Sequence, residues 1–112
     1  MNEVAPPLAD LDQKPTLLLV DDDVTFCGVL AQALSRRGFE VHSATDVDEG
    51  IRLAESVDPE YAVIDLRIGQ ESGLLLVKRL HEIDANTRIV MLTGFASIAT
   101  AVEAIKLGAI HY

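Results

Sequence analysis

The chain has 112 residues, with 18 aspartates and glutamates against 9 lysines and arginines, a formal net charge of −9. That length suits one domain rather than two, and 49% apolar residues exclude an intrinsically disordered chain. The acidic excess argues against nucleic-acid binding by this segment, which would need a basic stripe, and is compatible with divalent cations. No apolar run approaches a membrane span. Residues 1–14 lack the basic and then apolar order of a secretory signal. The single cysteine, Cys27, cannot close an internal disulfide, which suits a reducing, cytoplasmic setting.

In chain order, residues 1–15 read as a flexible N-terminal arm ending at Pro15. Thr16 to Val20 (TLLLV) is a short continuous apolar run stopped by three aspartates, the pattern of a buried parallel strand. Residues 24–37 place Phe26, Leu30 and Leu34 on one helical face, backed by Val29 and Ala33, with Gly38 as the stop. Glu40 to Ala44 is a second strand, and 47–57 a second helix with Val47, Ile51 and Ala54 inward. Gly50 within that helix costs about 1 kcal/mol relative to alanine. Tyr61 to Ile64 (YAVI) is a third buried strand, ending at Asp65; the loop LRIGQESG leads to a helix over 74–83 with Val77 and Leu80 on one face. Arg88 to Leu92 is a fourth strand, 96–107 a fourth helix ended by Gly108, and Ile110 to Tyr112 the opening of a fifth strand. Four strand–helix alternations predict an α/β domain, a parallel sheet with helices on both faces.

Ligand sites in such sheets lie beyond the carboxyl ends of the strands. There stand Asp21, Asp22 and Asp23 after strand one, Asp65 after strand three and Thr93 after strand four. Clustered carboxylates raise each other's pKa unless a cation lies between them. An all-oxygen set suits Mg²⁺, which often bridges to a phosphoryl group. The competing reading makes these aspartates helix caps and turn residues. It is preferred for Asp23, which precedes a helix; the site reading is preferred for Asp22 with Asp65.

LLLVDDD, YAVID, Gly73 eight residues after Asp65, VMLTG and the ending GAIHY occur in order. Together they resemble the receiver domains of two-component response regulators, from Leu17 to Tyr112. IDLRIGQESGL and LTGFASIATAVEAIKLGA are most similar to redox-responsive regulators of the RegA/PrrA/ActR type. The resemblance implies a flavodoxin-like (CheY-like) doubly wound sheet of order 2-1-3-4-5. It implies Asp65 as phosphoacceptor, Asp22 as direct Mg²⁺ ligand, Asp21 as a ligand through water and Arg67 as the donor of a backbone carbonyl to the metal. Thr93 matches the hydroxyl that turns toward the phosphoryl oxygens, and Tyr112 the aromatic switch. Arg67 and Phe95 occupy positions that influence water's access to the acyl phosphate.

Two departures stand out. Gly69 replaces a proline common in the family, so the loop is expected to be freer before phosphorylation. The family's phosphate-binding lysine would fall at position 115, past Tyr112. The chain therefore reads as a receiver over 16–112 that is truncated: strand five is incomplete, the last helix is missing and the DNA-binding output domain is absent. Its open side is expected to promote self-association. The resemblance implies a switch rather than a turnover enzyme, phosphorylated by a sensor histidine kinase and controlling transcription through its output domain.

The alternatives are a metal-assisted phosphohydrolase and a phosphorylation-independent docking module. The first would need an acid where Arg67 stands; the second does not need the retained aspartates. Cys27 is read as packing rather than as a redox sensor, and His42, His81 and His111 as surface or edge residues. The low charge of helix 96–107 fits either a signalling surface or a core face.

Overall fold

In the computed structural model the residues described are 14–92. The predicted arm over 1–13 and all readings placed after Leu92, including Thr93, Phe95, Tyr112, the fourth helix and the fifth strand, lie outside them. The elements are β1 (Thr16–Val20), α1 (Val24–Arg36), β2 (Glu40–Ala44), α2 (Val47–Val57), β3 (Tyr61–Asp65), β4 (Arg67–Ile68), β5 (Glu71–Ser72), α3 (Leu74–Ile83) and β6 (Arg88–Leu92). Four strands pair in parallel in the order β2-β1-β3-β6, the central part of the doubly wound arrangement expected from the sequence. No helix among the described residues is long and apolar enough to cross a membrane.

The strands are continuously apolar because both faces of the sheet are covered. Leu17 and Leu19, with Val63, Val90 and Leu92, face α1 through Cys27, Leu30 and Leu34. Leu18 and Val20, with Ala62, Ile64, Ile89 and Met91, face α2 and α3 through Val47, Ala54, Leu76 and Leu80. Alternate residues of β1 thus enter opposite cores, as the period of two in a strand requires. Each fully buried leucine contributes about 2 kcal/mol through removal of its apolar surface from water.

The helices start where local chemistry satisfies their first amides. Asp23 caps α1, its carboxylate accepting from the Phe26 N–H at 3.0 Å, as the sequence predicts. Asp46 does the same for α2, accepting from the Glu49 N–H at 2.8 Å, a cap not foreseen. After α1, Gly38 and Phe39 turn their N–H groups back to the carbonyls of Ser35 and Leu34.

The α1 stripe needs correction. Cys27, Leu30 and Leu34 form its buried line, Phe26 and Ala33 flank it, and Val29 is 49% exposed. Spacing i, i+3, i+7 sets the line, and position 29 lies roughly 130° around the helix from its centre. In α2, Gly50 has a packing role beyond its propensity cost. A Cβ there would lie 3.0 Å from Leu76 and 3.1 Å from Val20, so the small residue lets α2 lie close to β1 and α3.

The segment expected to be a loop after Asp65 holds a small antiparallel hairpin. Arg67 pairs with Ser72 and Ile68 with Glu71, connected by Gly69 and Gln70. Ile68 is buried and pins this hairpin to the α2–α3 side of the core. Gly73 then brings the start of α3 onto the end of β3. Its N–H donates to the Leu66 carbonyl at 2.7 Å, and a Cβ at this position would overlap the carbonyl oxygen of Asp65.

Because that obstacle is backbone, it cannot swing aside. Gly73→Ala is expected to lower stability by about 3 kcal/mol, read as a lower urea midpoint with unchanged slope. An unchanged midpoint would show that the close approach relaxes without cost.

Candidate functional site

Parallel pairing of β1 with β3 matches Val20 with Ile64, so the residues following each come out at the same sheet edge. Asp21 continues the backbone of β1 far enough for its N–H to reach the Ala44 carbonyl of β2. Its side chain is turned inward and the residue is only 6% exposed. One of its oxygens, Oδ1, accepts from the Asp23 N–H at 2.9 Å. Asp22 is exposed and points along the edge, where its Oδ2 accepts from the Gly69 N–H at 2.9 Å. Asp65, partly buried at the end of β3, accepts from the Arg67 N–H at 3.4 Å. One oxygen from each of Asp21, Asp22 and Asp65 can be chosen so that all three lie within 4.8 Å of one another.

Burial and mutual repulsion raise the pKa of two of these acids, Asp21 and Asp65. Desolvation, reinforced by the charges of Asp65, Asp22 and Asp23, raises Asp21 to about 6 despite the Asp23 amide. Asp65 is also raised, first by burial and then by Asp22; the Arg67 and Leu66 amides and the Asp21 side chain pull the other way. Such a triad suits a hard cation, because carboxylates that repel one another become mutually compatible ligands around a dication. Asp21, Asp22 and Asp65 are the side chains positioned to hold it, with the backbone of Arg67 directly beside Asp65.

Of the residues singled out in the sequence, the fold thus brings Asp21, Asp22 and Asp65 together and sets Arg67 in β4 with its side chain exposed. Asp23 is spent on the helix cap. Cys27 is buried, and burial followed by the charge of Asp21 pushes its thiol up. A thiol held protonated is a poor nucleophile, which agrees with its packing role. His42 lies on β2 at the sheet edge, 2.7 Å from Glu40.

Gly69, expected to loosen the loop, also has a defined place in it. It has φ +62° and is the first of two connecting residues in the hairpin. A glycine at that position is the sequence mark of a tight hairpin turn, and IGQE carried it. Proline could neither adopt that φ nor donate the hydrogen bond to Asp22.

Comparison with known proteins agrees with this architecture. Residues 17–112 match the family model of the response regulator receiver domain. The chain is 48% identical over 97 residues to the acid tolerance regulatory protein ActR of Sinorhizobium medicae (strain WSM419), covering 87% of the chain and 50% of that protein. It is 47% identical over 103 residues to the photosynthetic apparatus regulatory protein RegA of Cereibacter sphaeroides, covering 92% of the chain and 56% of that protein. The chain therefore spans about half the length of these regulators. Among solved structures, a response regulator protein from Burkholderia pseudomallei with a phosphorylated aspartic acid, calcium ion and citrate superposes with a TM-score of 0.72 at 43% identity, covering 88% of the chain and 58% of that structure. With its parallel sheet of order β2-β1-β3-β6 and the family match running from Leu17 onward, the chain belongs to the response regulator receiver domain family.

Proposed function

We propose that this domain accepts a phosphoryl group on Asp65 from a sensor histidine kinase and passes the change to a DNA-binding output domain that regulates transcription. The convergence of Asp21, Asp22 and Asp65 at one sheet edge carries the reading. The phosphorylated aspartic acid and calcium ion of the Burkholderia relative support it.

In the reaction, an oxygen of the Asp65 carboxylate forms a bond to phosphorus while the bond from phosphorus to the histidine nitrogen of the kinase breaks. The histidine nitrogen keeps the electron pair. Asp65 must be ionised to attack. Asp22, Asp65 and the Arg67 carbonyl would hold Mg²⁺ directly and Asp21 would hold it through water; when bound it would offset the charge spread over the equatorial phosphoryl oxygens. Asp21, inward and nearly inaccessible, supplies charge from the core side; Asp22 supplies it from the solvent side. By the resemblance, Thr93 and Tyr112, both outside the described residues, would carry the resulting population shift to the output domain. A phosphohydrolase reading fails on Arg67, which cannot serve as the general acid that such chemistry would need there.

Incubation with Mg²⁺ and acetyl phosphate is expected to add one phosphoryl mass to the protein, and Asp65→Asn to abolish the addition. Addition that survives in Asp65→Asn would move the acceptor elsewhere.

The raised Asp21 gives a pH dependence with a defined sign. Without cation, the folded chain holds a proton on Asp21 that the unfolded chain has lost between 3.8 and about 6. The contribution of this group to stability is therefore greatest at the low end and lost as pH rises through that window. Cation binding works oppositely, because it requires the ionised form. Calorimetric Mg²⁺ titrations at about pH 5 and about pH 7.5 should show clearly weaker binding at the lower value. Equal affinities would mean that Asp21 takes no part in holding the ion.

A further inference from the structure

We infer that Gly69 is a positioning residue for the cation site: its backbone N–H holds Asp22, and the β4–β5 hairpin exists in its present form to present that amide. The inference rests on the reading of Asp22 as a cation ligand. Three observations carry it. The Gly69 N–H reaches Asp22 Oδ2 at 2.9 Å across 47 residues of sequence. Gly69 adopts φ +62°, which a two-residue connection between Ile68 and Glu71 demands at this position and which proline cannot take. Ile68, immediately before it, is 2% exposed, so the hairpin carrying the amide is anchored in the core.

The physical consequence is preorganisation. Asp22 is exposed, and an exposed carboxylate samples several rotamers. Of the three clustered acids, Asp21 is held by burial and Asp65 is partly buried and accepts from the Arg67 N–H; among the described residues, the hydrogen bond that holds the Asp22 carboxylate comes from Gly69. The bond engages Oδ2 and leaves Oδ1 available to a cation. Fixing the ligand in advance lowers the entropy lost when the ion binds.

Magnesium alone, titrated calorimetrically into wild type, Gly69→Asn and Gly69→Pro, tests this. Asparagine keeps the N–H and, among residues with a side chain, is one of the most tolerant of positive φ; proline lacks the N–H and cannot take that φ. Gly69→Asn should bind within about twofold of wild type, and Gly69→Pro roughly three- to tenfold more weakly, the cost of ordering one side chain that is no longer held in advance. Equal affinity in all three proteins, or equal weakening in both variants, would overturn the positioning role.

A second measurement does not depend on Gly69→Pro folding. Amide hydrogen exchange at Gly69 should be protected in wild type and accelerated in Asp22→Ala; equal rates would overturn the inference. Beryllofluoride capture by wild type tests the phosphoacceptor reading separately. Loss of capture with the magnesium differences intact would discard that reading alone, and capture with equal magnesium affinities would discard the role of Gly69 alone.

Discussion

The parallel register of β1 on β3 is the constraint from which the site follows. Matching Val20 with Ile64 forces Asp21, Asp22 and Asp65 out at one edge, where like charges oppose one another. Such an arrangement persists only if something else holds the strands in that register. Leu17 to Val20 and Ala62 to Ile64 are all essentially inaccessible, and they alternate between two cores. A slip of one residue would exchange the two faces and also carry the aspartates out of line. The same apolar residues that stabilise the sheet therefore hold the acids against their repulsion.

Three consecutive aspartates come to differ completely once their surroundings do. Asp21 is buried and accepts the Asp23 amide; Asp22 is exposed and accepts the Gly69 amide; Asp23 accepts the Phe26 amide and starts α1. Each carboxylate thus satisfies a backbone N–H that regular structure leaves unpaired. The turn from β1 into α1 takes only three residues, and every one of them is used. Sequence alone distinguishes Asp23 by its place before a helix, but separating Asp21 from Asp22 requires knowing which way each side chain points.

Most of the architecture was legible because its signals are local. Short apolar runs ending in acids marked β1 and β3, and period-3.6 patterns marked the helices; the acids at strand ends marked the site. What escaped had a different character. The choice of Cys27 over Val29 for the buried face of α1 is a matter of angle, and several apolar residues close together in sequence leave the angle undetermined. The hairpin of Arg67–Ile68 with Glu71–Ser72 is too short to show a period. In the sequence Gly69 stands out as the absence of a proline, whereas in the fold it makes a hydrogen bond to a residue 47 positions away. Gly50 likewise carried a propensity cost in the sequence and shows its benefit only against Val20 and Leu76.

The two flanks of Asp65 differ in how firmly they are held. On one side, its backbone is locked into the β3–β6 ladder, and Gly73 brings α3 against its carbonyl with no room for a side chain. Movement there must displace packed backbone, which protein interiors resist. On the other side, Asp22 meets the hairpin through one exposed hydrogen bond, worth about 1 kcal/mol. A change of charge at Asp65 thus meets a stiff wall and a soft one. The second side is held by one hydrogen bond at Gly69 and by the burial of Ile68, whereas the first is held by packed backbone along its whole length.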